Sequence, residues 1–186
     1  MAGFSVCVYT EPVFVRSTHQ GLPMSENNSR IEARIRELGF ELPQAPAPVA
    51  AYVPAVITGN YVYTSGQLPF AEGKLKLTGK VADTADSADT VSPEEAKQLA
   101  AICALNALAA VKQVIGDLDR VQKIVKVVGF VSSQTTFFGQ PAVINGASEL
   151  LGEIFGKAGV HARSAVGVSV LPMDSPVEVE IIVEYR

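Results

Sequence analysis

The spacing of apolar residues divides most of the chain into short elements. Ile31, Ile35 and Leu38 recur at helical spacing behind Ser29 and Glu32, a capping-box pair, and Gly39 closes the run, so a short helix is predicted around 29–38. Gln44–Pro48 (QAPAP) cannot continue it, because prolines lack amide donors and push their predecessors into extended geometry. It reads as the linker from an N-terminal extension, 1–44, into a main domain, 45–186. Tyr52–Thr58 and Tyr61–Gln67 are β-rich runs around Gly59-Asn60, a pair suited to a tight hairpin turn. A third strand is expected over Lys76–Val81, and Ala82–Thr90, small, polar and acidic, reads as a surface loop. Ser92-Pro93-Glu94-Glu95 then opens a helix: a hydroxyl cap, proline at the first position, and acids at the positive end of the dipole. Ala96, Leu99, Ala100, Cys103, Ala107, Ala110 and Val114 form its buried stripe, and Gly116 stops it. Val121–Val131 reads as a central strand, and Pro141–Phe155 as a second helix buried through Val143, Ile144, Ala147, Leu150, Leu151 and Ile154.

The last stretch, Gly159–Arg186, alternates twice. Val166, Val168 and Val170 share one parity, opposite to Arg163, Ala165 and Gly167; beyond a Pro- and Asp-bearing turn, Val177, Val179, Ile181 and Val183 alternate with Glu178, Glu180 and Glu184. If the turn pairs Val170 with Val177, the two runs form a hairpin with its valines on one face. Arg163, Ala165, Gly167 and the glutamates then lie together on the other, as the floor of a small pocket. A plain cross-strand ion pair on a solvated face is the competing reading of Arg163 and a glutamate.

The order β-β-β-α-β-α-β-β implies an α/β (α+β) domain: one mixed sheet of about six strands with two helices packed on one face. The other face lacks a covering layer, so self-association into a homo-oligomer is expected.

Composition narrows the function. The chain has 186 residues, 48% of them hydrophobic, enough for one substantial core. A net charge of −4 gives no broad attraction to nucleic acid or anionic lipid. Two cysteines, Cys7 and Cys103, and two histidines make neither a disulfide framework nor a metal cluster. No metal or cofactor is expected. Ala96–Gly116 carries Gln98, Asn106, Lys112 and Gln113 and reads as too polar to span a membrane. The first residues lack the pattern of a secretory signal, which points to the cytoplasm, and Met24 opens a more conventional start than residues 1–23 do.

Several segments, in order, carry a resemblance: Tyr52, Gly59–Pro69 (GNYVYTSGQLP), Asn145, Ala162–Val166 (ARSAV), Leu171-Pro172 and Val177–Glu180 (VEVE). Together they resemble the reactive-intermediate imine deaminase family, also called YjgF or endoribonuclease L-PSP. The resemblance implies a chorismate-mutase-like fold, a homotrimer, and active sites in the clefts between subunits. It implies hydrolysis of 2-imino acids and their enamine tautomers to 2-keto acids and ammonia. By position, Arg163 matches the arginine that grips the substrate carboxylate and Glu178 the acid that positions water. Tyr52, Ser65, Gly66, Asn145 and Ala165 match positions lining the pocket. Ala165 and Gly167 stand where close relatives usually carry cysteine and often glutamate, which marks a diverged branch with a roomier site. Arginine suits the task because its planar donor fork holds both carboxylate oxygens at once. Two other functions compete: a non-catalytic binder or regulator holding a small carboxylate, and a ribonuclease, which the lack of a basic groove or stacking platform disfavours.

Overall fold

The computed structural model describes residues 29–44, 52–84, 87 and 89–186. The expectations about Met24, residues 1–23, Cys7 and the prolines of the linker lie outside those residues.

The N-terminal helix α1 spans Arg30–Glu37, where the capping pair places it. Ser29 caps Glu32 N–H, and Ile35 is fully buried. Asp119 fixes the start of this helix to the main body: its carboxylate accepts from Ser29 Oγ (3.0 Å), Ile31 N (2.9 Å), and Arg30 N and Nε (both 3.1 Å). Burial alone would raise its pKa, but the amides of Ile31 and Arg30 and the Arg30 and Ser29 side chains outweigh it and hold Asp119 at about 2.

The hairpin appears as β1 (Ala55–Thr58) and β2 (Tyr61–Thr64), antiparallel and joined through Gly59-Asn60. Two-residue strands β3 (Phe70–Ala71) and β4 (Lys74–Leu75) follow as a small ribbon. The expected third strand over Lys76–Val81 is reduced to β5 (Lys80–Val81), which pairs in parallel with β6 (Thr90–Val91) outside the main sheet. Helix α2 (Pro93–Ile115) starts with a complete capping box: Ser92 N donates to Glu95 Oε2 at 3.0 Å, and Glu95 N donates back to Ser92 Oγ at 3.3 Å. By length and composition α2 would pass for a membrane span, contrary to the sequence reading. Burial of 67% of that apolar window marks it as a core helix. The central strand β7 (Val121–Ser132), helix α3 (Gln140–Phe155), β8 (Ala162–Val168) and β9 (Val177–Tyr185) complete the domain.

The main sheet is mixed and has five strands, ordered β1-β2-β9-β7-β8. Helices α2 and α3 pack together on one face, where Val62, Ile124, Val127, Val179, Ile181 and Val183 are buried. Close packing of the two helices depends on Gly146, because a β-carbon there would run into the Lys97 carbonyl oxygen.

The C-terminal hairpin is not formed. β8 pairs in parallel with β7 on one side, and β9 pairs antiparallel with β7 on the other. The reason is the crossover: α3 must return the chain parallel to β7, so β8 takes one flank and β9 fills the slot between β7 and β2. Register then settles the faces. Val127 stands opposite both Arg163 and Ile181, placing Arg163, Ala165 and Gly167 on the helix side. Phe130 stands opposite both Val166 and Glu178, placing the β8 valines and the glutamates on the open side. The shared face expected for Arg163 and Glu178 is therefore wrong.

Candidate functional site

The structure sorts the expected site residues into two clusters on opposite faces of the sheet. On the helix face, Arg163 Nη1 donates to Asn145 Oδ1 (2.8 Å) and to Ser148 Oγ (3.2 Å), both on α3. Asn145 and Ser148 lie three residues apart and so project from one side of the helix toward β8. Ser148 Oγ in turn meets His161 Nε2 at 3.0 Å, and His161 Nδ1 meets the Gly159 carbonyl oxygen at 2.6 Å. Arg163 is half-buried, held by side chains rather than loose in solvent.

On the open face a different device operates. Tyr63 pairs with Ile182 and Gln67 with Val179, so four steps along β2 and its extension match three along β9. One extra residue makes this a β-bulge. Thr64 Oγ1 fills the interrupted ladder by accepting from Ile181 N at 3.0 Å. The bulge carries Gly66 out against Glu178, where a β-carbon on Gly66 would collide with Glu178 Oε1. The Glu178 side chain has no hydrogen-bond or ion-pair partner among the described residues, and neither has the Gly66 N–H. Burial first, and the charge of Glu180 second, push the Glu178 carboxyl above the ordinary glutamate value.

Ser65 donates its hydroxyl hydrogen to the Val53 carbonyl (2.8 Å), and its amide to Pro54 O (2.8 Å). Its role is therefore to tie down the segment after Tyr52 rather than to donate to a ligand. Tyr52 is 59% exposed at that corner. Ala165 packs its methyl against the core, so it does not open space beside Arg163. Gly167 does border a cavity of about 410 Å³, shared with Lys80, Ser133, Phe137 and Gln140. Arg163 and Ala165 are not among its walls, and the Gln140 amide and Ser133 hydroxyl lean into the place a Gly167 side chain would take.

Arg163 and Glu178 are set three residues apart along β7, about 10 Å, and two strand spacings across, also about 10 Å. One chain does not bring them together. Ser148 and His161 were missed in the sequence, although two signals pointed to them: Ser148 shares a helix side with Asn145, and His161 has the parity of Arg163. Cys103 is buried, with its thiol pushed up by desolvation, which leaves it an inert core residue. Among the described residues no three His, Cys, Asp or Glu side chains gather into a metal site.

Residues 32–185 match the family model described as "YjgF/chorismate_mutase-like, putative endoribonuclease". Protein TCP17 of Trypanosoma cruzi is 39% identical over 160 residues, covering 86% of this chain and 96% of that protein. The solved structure of protein Atu1372 from Agrobacterium tumefaciens is 45% identical with a TM-score of 0.76, covering 84% of this chain and 92% of the other. That of Escherichia coli TdcF with bound serine is 26% identical with a TM-score of 0.50, covering 77% and 94%. The mixed sheet with its helices on one face is the chorismate-mutase-like fold of these neighbours. The matched segment takes in most of α1 as well as the sheet and both core helices, and the chain belongs to the RidA/YjgF family.

Proposed function

We propose that this protein hydrolyses reactive 2-imino acids and their enamine tautomers to 2-keto acids and ammonia, at sites completed between subunits of a homotrimer. The observation that carries the reading is the separation of Arg163 and Glu178 onto opposite faces of one sheet. Neither half is a site alone, and two copies can present one half each. The face left open among the described residues supports association: Val56 (51% exposed), Tyr63 (41%) and Val166 (45%) stand out on it around the glutamates. The serine held by TdcF is a small amino acid with the carboxylate and α-nitrogen such a site needs.

In this reading Arg163 of one protomer grips the substrate carboxylate and orients the C=N carbon. The Gly66 N–H and Glu178 of a neighbouring protomer face that carbon. Ionised Glu178 takes a proton from water as its oxygen bonds to C2. The C2=N π pair moves onto nitrogen, which takes that proton and gives the carbinolamine. The proton of the new C2 hydroxyl then reaches nitrogen through Glu178 as C2=O forms and the C–N bond breaks, and ammonia leaves behind the 2-keto acid. Residence of the protein in the cytoplasm fits a role beside the enzymes that release such imines.

The test generates imines in situ from a panel of amino acids and follows keto-acid release. Wild type should accelerate it, and Arg163→Ala should lower kcat/KM by about 100-fold or more, the loss of two charge-assisted hydrogen bonds. Equal rates with and without wild-type protein would refute the activity, and ligand-dependent melting without turnover would favour a carboxylate binder instead.

A further inference from the structure

The geometry points to Ser148 and His161 as positioning residues that select which edge of Arg163 meets the ligand, so that a carboxylate docks side-on through Nε and Nη2. The inference rests on Arg163 being the carboxylate grip.

A carbonyl oxygen only accepts, so the 2.6 Å contact with Gly159 O places the hydrogen of neutral His161 on Nδ1. Nε2 is then bare and must accept, and among the described residues the donor facing it is the Ser148 hydroxyl, 3.0 Å away. That donation turns the Ser148 oxygen lone pairs toward Arg163, whose Nη1 donates to it at 3.2 Å. The chain of donors is thus directed, from Arg163 to Ser148 to His161 to Gly159.

Asn145 Oδ1 accepts from the same Nη1 at 2.8 Å, so two acceptors match its two hydrogens. Nη1 carries only two hydrogens, so it is fully spent. The end-on pair, Nη1 with Nη2, is therefore closed to a carboxylate. Among the described residues, Nε and Nη2 have no partner, and these two form the other parallel donor pair of the guanidinium fork. A side-on grip fixes the angle at which the carboxylate enters, and with it the direction of the C=N carbon. A hydrogen bond that holds a donor in place before binding reduces the ordering cost at binding, which appears in KM more than in kcat.

The relay has two halves that can be tested independently. Ser148→Ala removes one of the two acceptors on Nη1 and should raise KM for the imine about 5- to 30-fold, with kcat within about twofold, less than the loss of a whole charge-assisted hydrogen bond because Asn145 still holds Nη1. Ser148→Thr retains the hydroxyl and should restore KM. His161→Ala should raise KM several-fold, and His161→Gln, whose amide oxygen can accept from Ser148, should recover part of it. The same order should appear in the Kd for pyruvate measured by calorimetry, and pyruvate should shift the Arg163 Nε–H resonance. Arg163→Ala serves as the reference. If it is impaired while Ser148→Ala and His161→Ala keep wild-type KM and Kd, the relay is refuted and the carboxylate grip stands. If Arg163→Ala itself matches wild type, both fall. Should Ser148→Ala not fold, the His161→Ala and His161→Gln pair decides the matter in the same way.

Discussion

The helix face of β8 and the open face of β9 hold their charged groups by opposite means. Around Arg163 the structure adds partners: Asn145 and Ser148 from α3 anchor the guanidinium, and His161 anchors Ser148. Around Glu178 it removes them: a bulge brings up a glycine with no side chain, the carboxylate has no hydrogen-bond or ion-pair partner among the described residues, and burial raises its pKa. A permanent cation can be clamped without changing its charge, because arginine stays protonated. A carboxylate that must gain and lose a proton is kept responsive by withholding such clamps. On the proposed function, the contrast assigns position to one half and proton transfer to the other.

The strongest way to break this comparison is to mix its halves. Arg163→Ala and Glu178→Gln protomers should each be nearly inactive alone. Unfolded and refolded together in equal amounts, they should recover up to about a quarter of wild-type activity, since that share of interfaces in a closed ring pairs two intact halves. No recovery in mixed oligomers of confirmed composition would sink the shared site.

Next in size, Gly66→Ala should displace the Glu178 carboxylate and lower kcat by tenfold or more, while leaving pyruvate affinity at Arg163 little changed. A fall in affinity equal to the fall in kcat would show that the two halves are not separable. The smallest effect concerns pH. The activity should fall on the acid side as Glu178 gains its proton, at a pH above the ordinary 4.5. Glu180→Gln removes one of the two causes of the rise and should move that limb to lower pH. The same shift has a stability sign. The folded state holds the Glu178 proton more tightly than the unfolded chain, so ionising it costs stability as pH rises from 4.5 through the raised value. Glu178→Gln removes that cost, and its melting temperature at neutral pH should match or exceed wild type.

Much of the architecture was legible from local chemistry. Ser92, Pro93 and Glu95 specify the start of α2, Gly59-Asn60 the first turn, and the alternation through Val177–Tyr185 a strand with one buried face, because each depends on hydrogen bonds or side chains a few residues apart. Arg163, Glu178, Ser65, Gly66 and Asn145 were singled out as site candidates in the sequence through the order of their motifs. The tertiary structure alone decided how they are grouped. Period-two alternation fixes which residues of a strand share a face, but not which strand lies beside it. Only the crossover through α3 placed β7 between β8 and β9 and turned the β8 valines to the side of the glutamates. The bulge at Ser65-Gly66 and the Arg163–Ser148–His161 chain are long-range agreements between segments far apart in sequence, and those are settled by packing.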